Sequence, residues 1–279
     1  MIYRNYFYFF IIILFCFSCS KKEIEKSNIN EVNLESQMME AYEDGLKELE
    51  AGDVLFAAKK FNEAETLFPQ SEYAPKSALM AAYSYYSQNY YGDAMAELIR
   101  FSRVYPNHKD IAYAEYLLGL CYYEQIIDAK KDLQSIVNAK TTFESLISKY
   151  PDSEFATDAT FKIDLINEIL AGKEMFIGRY YFDKKKWIPA INRFRVVIDD
   201  YETTIYVEEA IHRLVEIYYI LGIETEAKKY ANLLGYNYQS SEWYEKSFIV
   251  FNRKYKKNTI KDIKKENNSI IEKFKSLFS

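Results

Sequence analysis

The chain has 279 residues, a formal net charge of −5, and only eight Gly and five Pro. That length allows one or two domains with a sizeable core, and the scarcity of turn residues favours helical hairpins over many short strands. The acidic balance excludes the basic field a nucleic-acid partner wants, and Cys16, Cys19 and Cys121 make neither a metal spacing nor a disulfide framework. With no triad, paired-carboxylate or phosphate-loop signature either, no metal or cofactor is expected and the chain does not read as an enzyme. Cys121, His108 and His212 read as structural residues.

Taken in order, residues 1–18 have the layout of a secretory signal peptide: Arg4, then the apolar run Tyr6 to Phe17. The run is too short to span a bilayer, which takes about twenty residues. Ser18-Cys19 resembles the end of a bacterial lipobox, with Cys16 where Leu is usual. Cys19 would then be the lipidated first residue of the mature chain; an uncleaved N-terminal anchor is the alternative. Ser20 favours the outer membrane in the lipoproteins this start resembles. Residues 19–36 are polar and read as a tether.

From residue 37 a helix-turn-helix unit repeats. Gly45, Ala57, Phe61, Ala64 and Pro69 set the phase of the tetratricopeptide (TPR) pattern, and Ala82, Tyr85, Ala94, Leu98 and Pro106 repeat it 37 residues on. Small residues on one helix admit large ones from its partner, and the proline stops the second helix. The third unit carries Gly119, Tyr122, Ala139, Phe143, Leu146 and Pro151. Its spacing from Gly119 to Ala139 is 20 residues rather than 12, which places an inter-helix loop in DAKKDLQS, 128–135.

Ala190 and Phe194 then lie 51 residues beyond Ala139 and Phe143, 14 more than the basic period. Phe155, Ala159, Ile163, Ile166, Leu170, Phe176 and Tyr180 keep helical spacing across the gap, so one long helix is expected over 155–183, with any bend near Gly172. Repeat 4 closes with Trp187 to Asp200, and repeat 5 runs from Tyr206 to Leu234. YQSSEWY at 238–244 echoes YPDSEFA at 150–156 and predicts a capping helix over 241–254. The reading is an all-α TPR superhelix of about five repeats in two lobes joined by a long helix. The N-terminal lobe covers 37–152, and the long helix and C-terminal lobe cover 153–253. The tail 254–279 holds eight Lys against three acidic residues. It reads equally as a surface-seeking helix or a solvated segment.

Counting along the repeats, Tyr42, Leu46 and Leu49, Leu79, Tyr83 and Tyr86, and Tyr113, Tyr116, Leu120 and Tyr123 should face the concave groove where TPR arrays hold extended ligands. The alternative for each tyrosine is packing between repeats. Arg179, Asn192, Arg193, Arg195 and Arg213 gather on repeats 4 and 5. They suit interface carboxylates, or in-chain pairs with Glu208, Glu209 or Glu216.

The phrases SEYAPKSALMAAYSYY, VYPNHKDIAYAEYLLGLCYYEQI, ISKYPDSEFATDA, GRYYFDKKKWIPAINRF and LGYNYQSSEWY together resemble the BamD family, over about residues 36–250. These are the TPR lipoproteins of the machinery that inserts β-barrel proteins into the bacterial outer membrane. The resemblance implies a scaffold lipid-anchored at the periplasmic face of the outer membrane. Its implied partners are BamA, small accessory lipoproteins and the C-terminal signals of unfolded barrel proteins, with Asn192-Arg193 matching a family motif in the lobe that contacts BamA. An adaptor for another envelope process, such as coordination of cell-wall enzymes, is the competing reading.

Overall fold

The computed structural model describes residues 31–126 and 133–252. All regular structure among them is helical: α1 Glu31–Ala51, α2 Val54–Leu67, α3 Tyr73–Ser87, α4 Tyr91–Val104, α5 Ile111–Glu124, α6 Gln134–Lys149, α7 Glu154–Asp183, α8 Trp187–Asp200, α9 Val207–Ile220, α10 Glu224–Asn237 and α11 Glu242–Phe251. Each helix but the last packs chiefly against its chain neighbours, which is the quasi-one-dimensional order of a repeat array; α11 packs chiefly on α9. The expected all-α TPR superhelix of two lobes is the fold observed.

Within a repeat, the small residue of the first helix receives an aromatic ring from the second. A Cβ on Gly45 would stand 2.8 Å from Phe61, one on Gly119 2.4 Å from Phe143, and one on Gly178 2.6 Å from Phe194. Only glycine permits that approach, and all three rings are fully buried. Second helices end on an aromatic cap, Phe68, Tyr105 or Tyr150, followed at once by Pro69, Pro106 or Pro151. The turn from first to second helix has its own device. Gly52, Asn89, Lys185 and Gly222 occupy equivalent positions there, all with positive φ (85°, 65°, 56° and 75°). Glycine takes that conformation freely and Asn tolerates it, while Lys185 is strained.

Four buried clusters follow one another along the array. The first joins α1 to α3 around Phe61, the second α3 to α5 around Phe101 and Leu117, and the third α5 to α7 around Phe143 and Ile166. The fourth holds Ala171, Met175, Phe194, Ile211 and Leu214 of α7 to α9 with Leu234 of α10. Across α2 and α4 the buried Glu65 accepts 2.8 Å hydrogen bonds from the Arg100 guanidinium and the Tyr105 hydroxyl, tying two repeats together.

The long helix is present and continuous through Gly172. Its 30 residues, about 45 Å at 1.5 Å each, place Ala159 and Ile166 in the third cluster and Ala171 and Met175 in the fourth. It therefore belongs to both lobes. Ser153 and Ser241 accept backbone N–H bonds at the starts of α7 and α11, 3.2 Å from Ala156 and 3.1 Å from Trp243. This is the physical content of the shared Ser-Glu phrase: an N-cap followed by a carboxylate in the first turn.

Two expectations need adjustment. The first helix already starts at Glu31, inside the segment read as tether. Gln134 and Ser135, assigned to the loop, open α6, and 127–132 lie outside the described residues. The helix runs unbroken through Gly172, the place given for any bend, and Gly172 faces Tyr206. Cys19, the signal peptide and the tail 254–279 lie outside the described residues.

Candidate functional site

The first helices of successive repeats, α3, α5 and α7, carry an aromatic wall. Tyr83 of α3 is 39% exposed at its surface. Tyr83 lies close enough to Tyr113 of α5 to act on its hydroxyl, and Tyr113 close enough to act on that of Tyr86. Tyr113 then meets Phe155 of α7 at 5.3 Å between ring centres, and Tyr116 stacks on the same ring at 5.4 Å and 29°. The Tyr116 hydroxyl donates to Asp158 on α7. Tyr123, farther along α5, lies beneath Lys162, whose Nζ is 4.9 Å from the ring centre.

Tyr86, Tyr113, Tyr116 and Tyr123 are partly buried, and burial raises the pKa of each hydroxyl. Burial, helped by Glu124, pushes the Tyr86 hydroxyl up to about 12, and burial with the Asp158 hydrogen bond raises Tyr116 further. The wall offers flat apolar area with polar tips and no nucleophile. Cys121 behind it is buried, its thiol pushed up to about 12 by burial, and serves packing.

Two residues assigned to the groove are core instead. Tyr42 is 6% exposed, held edge-on by Phe61 at 5.4 Å and Tyr73 at 5.6 Å, and Leu79 is 8% exposed in the second cluster. Leu46 and Leu49 pack on the first cluster, and Leu120 lies between the second and third. Phe155, Asp158 and Lys162 are the wall residues sequence reasoning missed. The signal was available: the first turns of α7 continue the series of first helices.

The C-terminal lobe has a layer of paired charges. Arg179 of α7 and Arg213 of α9 converge on the buried Glu209, at 2.9 Å from Arg179 Nε and 3.3 Å from Arg213 Nε. Arg213 also reaches Glu216 at 2.8 Å and lies over Phe182 and Trp243 at 5.3 and 5.8 Å. Burial favours the neutral Glu209 carboxyl, but the two guanidiniums outweigh it and hold its pKa below the usual carboxylate range. Arg193 pairs with Glu174 at 2.9 Å, and Glu208 accepts from the Ser241 hydroxyl rather than from an arginine. Arg195 is exposed, 3.7 Å from Asp199, and Asn192 is exposed beside it on α8. The in-chain alternative therefore holds for Arg179 and Arg213, and Arg193 is paired with a carboxylate outside the expected set.

Glu209→Gln should remove this anchor. With half-exposed arginines the loss is screened, so about 1–2 kcal/mol is expected, read as a lower urea midpoint at unchanged slope. An unchanged midpoint would make the pair incidental.

Comparison with known proteins places this geometry. A family model described as YfiO, outer membrane lipoprotein, matches residues 34–234. The outer membrane protein assembly factor BamD of Rickettsia prowazekii (strain Madrid E) is 44% identical over 207 residues, covering 74% of this chain and 82% of that protein. This chain belongs to the BamD family. The BamD of Caulobacter vibrioides is 39% identical over 211 residues (76% and 69% of the two chains). That of Neisseria meningitidis (strain Z2491) is 31% identical over 210 residues (72% and 79%). The matched span takes in the aromatic wall and the arginine layer. The helix α11 and the Lys-rich tail lie beyond the stretch the BamD family model matches.

Proposed function

We propose that this protein is a non-catalytic scaffold for outer-membrane protein assembly whose aromatic wall holds the C-terminal segment of an unfolded β-barrel protein. One observation carries the reading: Tyr113, Tyr116 and Phe155 pack ring on ring across α5 and α7, with Tyr83 and Tyr86 of α3 beside Tyr113. An extended strand with aromatic side chains on one face finds matching flat rings there, with hydroxyls and Asp158 at the edges for polar groups. The N-terminal anchor through Cys19 would hold the scaffold at the outer membrane. The C-terminal lobe would engage BamA. Arg179 and Arg213 brace that lobe from within, while Asn192, Arg195 and the 73% exposed Ile188 on α8 are available to a partner.

Interface energy concentrates in a few aromatic or Arg anchors. The double variant Tyr83→Ala, Tyr123→Ala should bind a labelled barrel-protein C-terminal peptide about tenfold more weakly, or worse. BamA binding and the circular dichroism melt should persist. Equal peptide affinity in the folded variant would dismiss the wall as the site. Joint loss of peptide binding, BamA binding and melting temperature would mean that these tyrosines serve packing.

A further inference from the structure

The wall has a cation without an anion. Lys162 of α7 is half-buried and contacts the Tyr123 ring face at 4.9 Å, yet has no carboxylate within ion-pair distance among the described residues. Elsewhere on the first helices Lys47 pairs with Asp44, and Arg179 and Arg213 with Glu209, while Lys76 of α3 and Lys173 of α7 have no ion pair among the described residues. Asp158, one turn before Lys162, already accepts the Tyr116 hydroxyl.

Exposed apolar side chains flank the same spot. Phe161 is 62% exposed, and Leu165, one turn beyond Lys162, is 49% exposed. A half-buried ammonium over an aromatic face, beside exposed apolar side chains, matches one chemical class: the terminal residue of a polypeptide, with an apolar side chain and a free α-carboxylate. The ammonium has three donors, and a ring face occupies at most one direction.

We propose that Lys162 receives the α-carboxylate of the bound segment's last residue, while Tyr123, Phe161 and Leu165 accommodate that residue's side chain. This rests on the wall being the peptide site, and it adds a register. Asp158, already bonded to Tyr116, disfavours a terminal carboxylate there. Glu124 acts on both Tyr86 and Tyr123 and favours neither end. Lys162 therefore sets the register, and the preceding residues run back over Tyr116, Tyr113 and Tyr83. Specificity set by repulsion at wrong positions as well as attraction at the right one is the general pattern. Lys76 is the other wall cation, 5.3 Å from the Tyr42 ring centre and 5.6 Å from that of Tyr73. Its flank is smaller: Tyr42 is buried and Tyr73 is 36% exposed, against 62% for Phe161 and 49% for Leu165 beside Lys162.

The test is a titration of the full chain with two labelled peptides, identical in sequence with alternating aromatic residues and an aromatic end, one a C-terminal acid and the other a C-terminal amide. The native chain should prefer the acid by about fivefold, and the preference should shrink as salt rises. In Lys162→Met, checked for an unchanged melt, the acid-to-amide ratio should collapse to about one. Equal binding of acid and amide by the native chain overturns the carboxylate assignment and leaves the wall standing. A preference that survives in Lys162→Met also overturns it, and its loss in Lys76→Met would move the carboxylate to Lys76. Failure of both peptides to bind overturns the wall itself.

Discussion

Phe194→Ala should lower the unfolding free energy by about 3–5 kcal/mol, the usual loss for a buried Phe replaced by Ala. The ring is fully buried among Ala171, Met175, Ala190, Val197 and Leu214. It lies against Gly178 so closely that a Cβ there would stand 2.6 Å from it. Helices α7 and α8 approach across that pair and cannot collapse far into the void, because α9 packs on α8 as well as on its own neighbours. The cost should therefore fall toward the upper end of the range. In a nearest-neighbour array the damage stays local. Hydrogen exchange should rise across α7 to α11 and remain native around Phe61. An unfolding free energy from urea melts lowered by less than about 1 kcal/mol would mean that the lobe repacks, and that the Gly–Phe pairs do not set the helix spacing.

The C-terminal lobe should also lose stability as pH falls from about 6.5 toward 4. His212 is 4% exposed, its Nδ1 2.8 Å from the Ser247 hydroxyl and its ring 5.4 Å from Trp243, so it is the buried joint between α9 and α11. Burial, then Arg213 and Lys246, push its pKa down to about 4, against the smaller opposing pull of Glu209. Glu216, 3.5 Å from Nε2, is the other charged group facing the ring. The sign follows from proton counting. Between pH 6.5 and 4 the unfolded chain binds a proton at this histidine and the folded chain does not, so acid favours unfolding. The stability is complete above the unfolded pKa of 6.5 and decreases through the window, by at most about 3 kcal/mol. Thermal melts at pH 7.5 to 4.5 should show this fall, and His212→Gln should show a shallower one. Parallel pH profiles for the two proteins would remove His212 as the cause. The Glu209 carboxylate, whose pKa is depressed, adds its loss at lower pH.

Much of this architecture is legible in residue order because a helix forces it to be. The period of 37, with small and large residues in fixed phase, announces helical hairpins, and prolines mark where second helices stop. The unbroken spacing from Phe155 to Tyr180 leaves no place for a loop, so the long helix follows. The phase also contained Gly178, which precedes Phe194 by the same 16 residues that separate Gly45 from Phe61.

What each side chain meets was a different matter. By itself the sequence determined the element order, the two lobes and the set of first helices from which a groove is built, because helical periodicity is a local property of the chain. Only the tertiary structure decided that Tyr42 and Leu79 close the core while Tyr83 faces solvent, since depth along a shared helix face depends on how far the neighbouring repeat covers it. It likewise decided that Arg179 is held by Glu209 and that Lys162 is left without a carboxylate among the described residues. Partners 30 or more residues apart are chosen by the crossing of helices in space, and the period of one helix carries no record of that crossing.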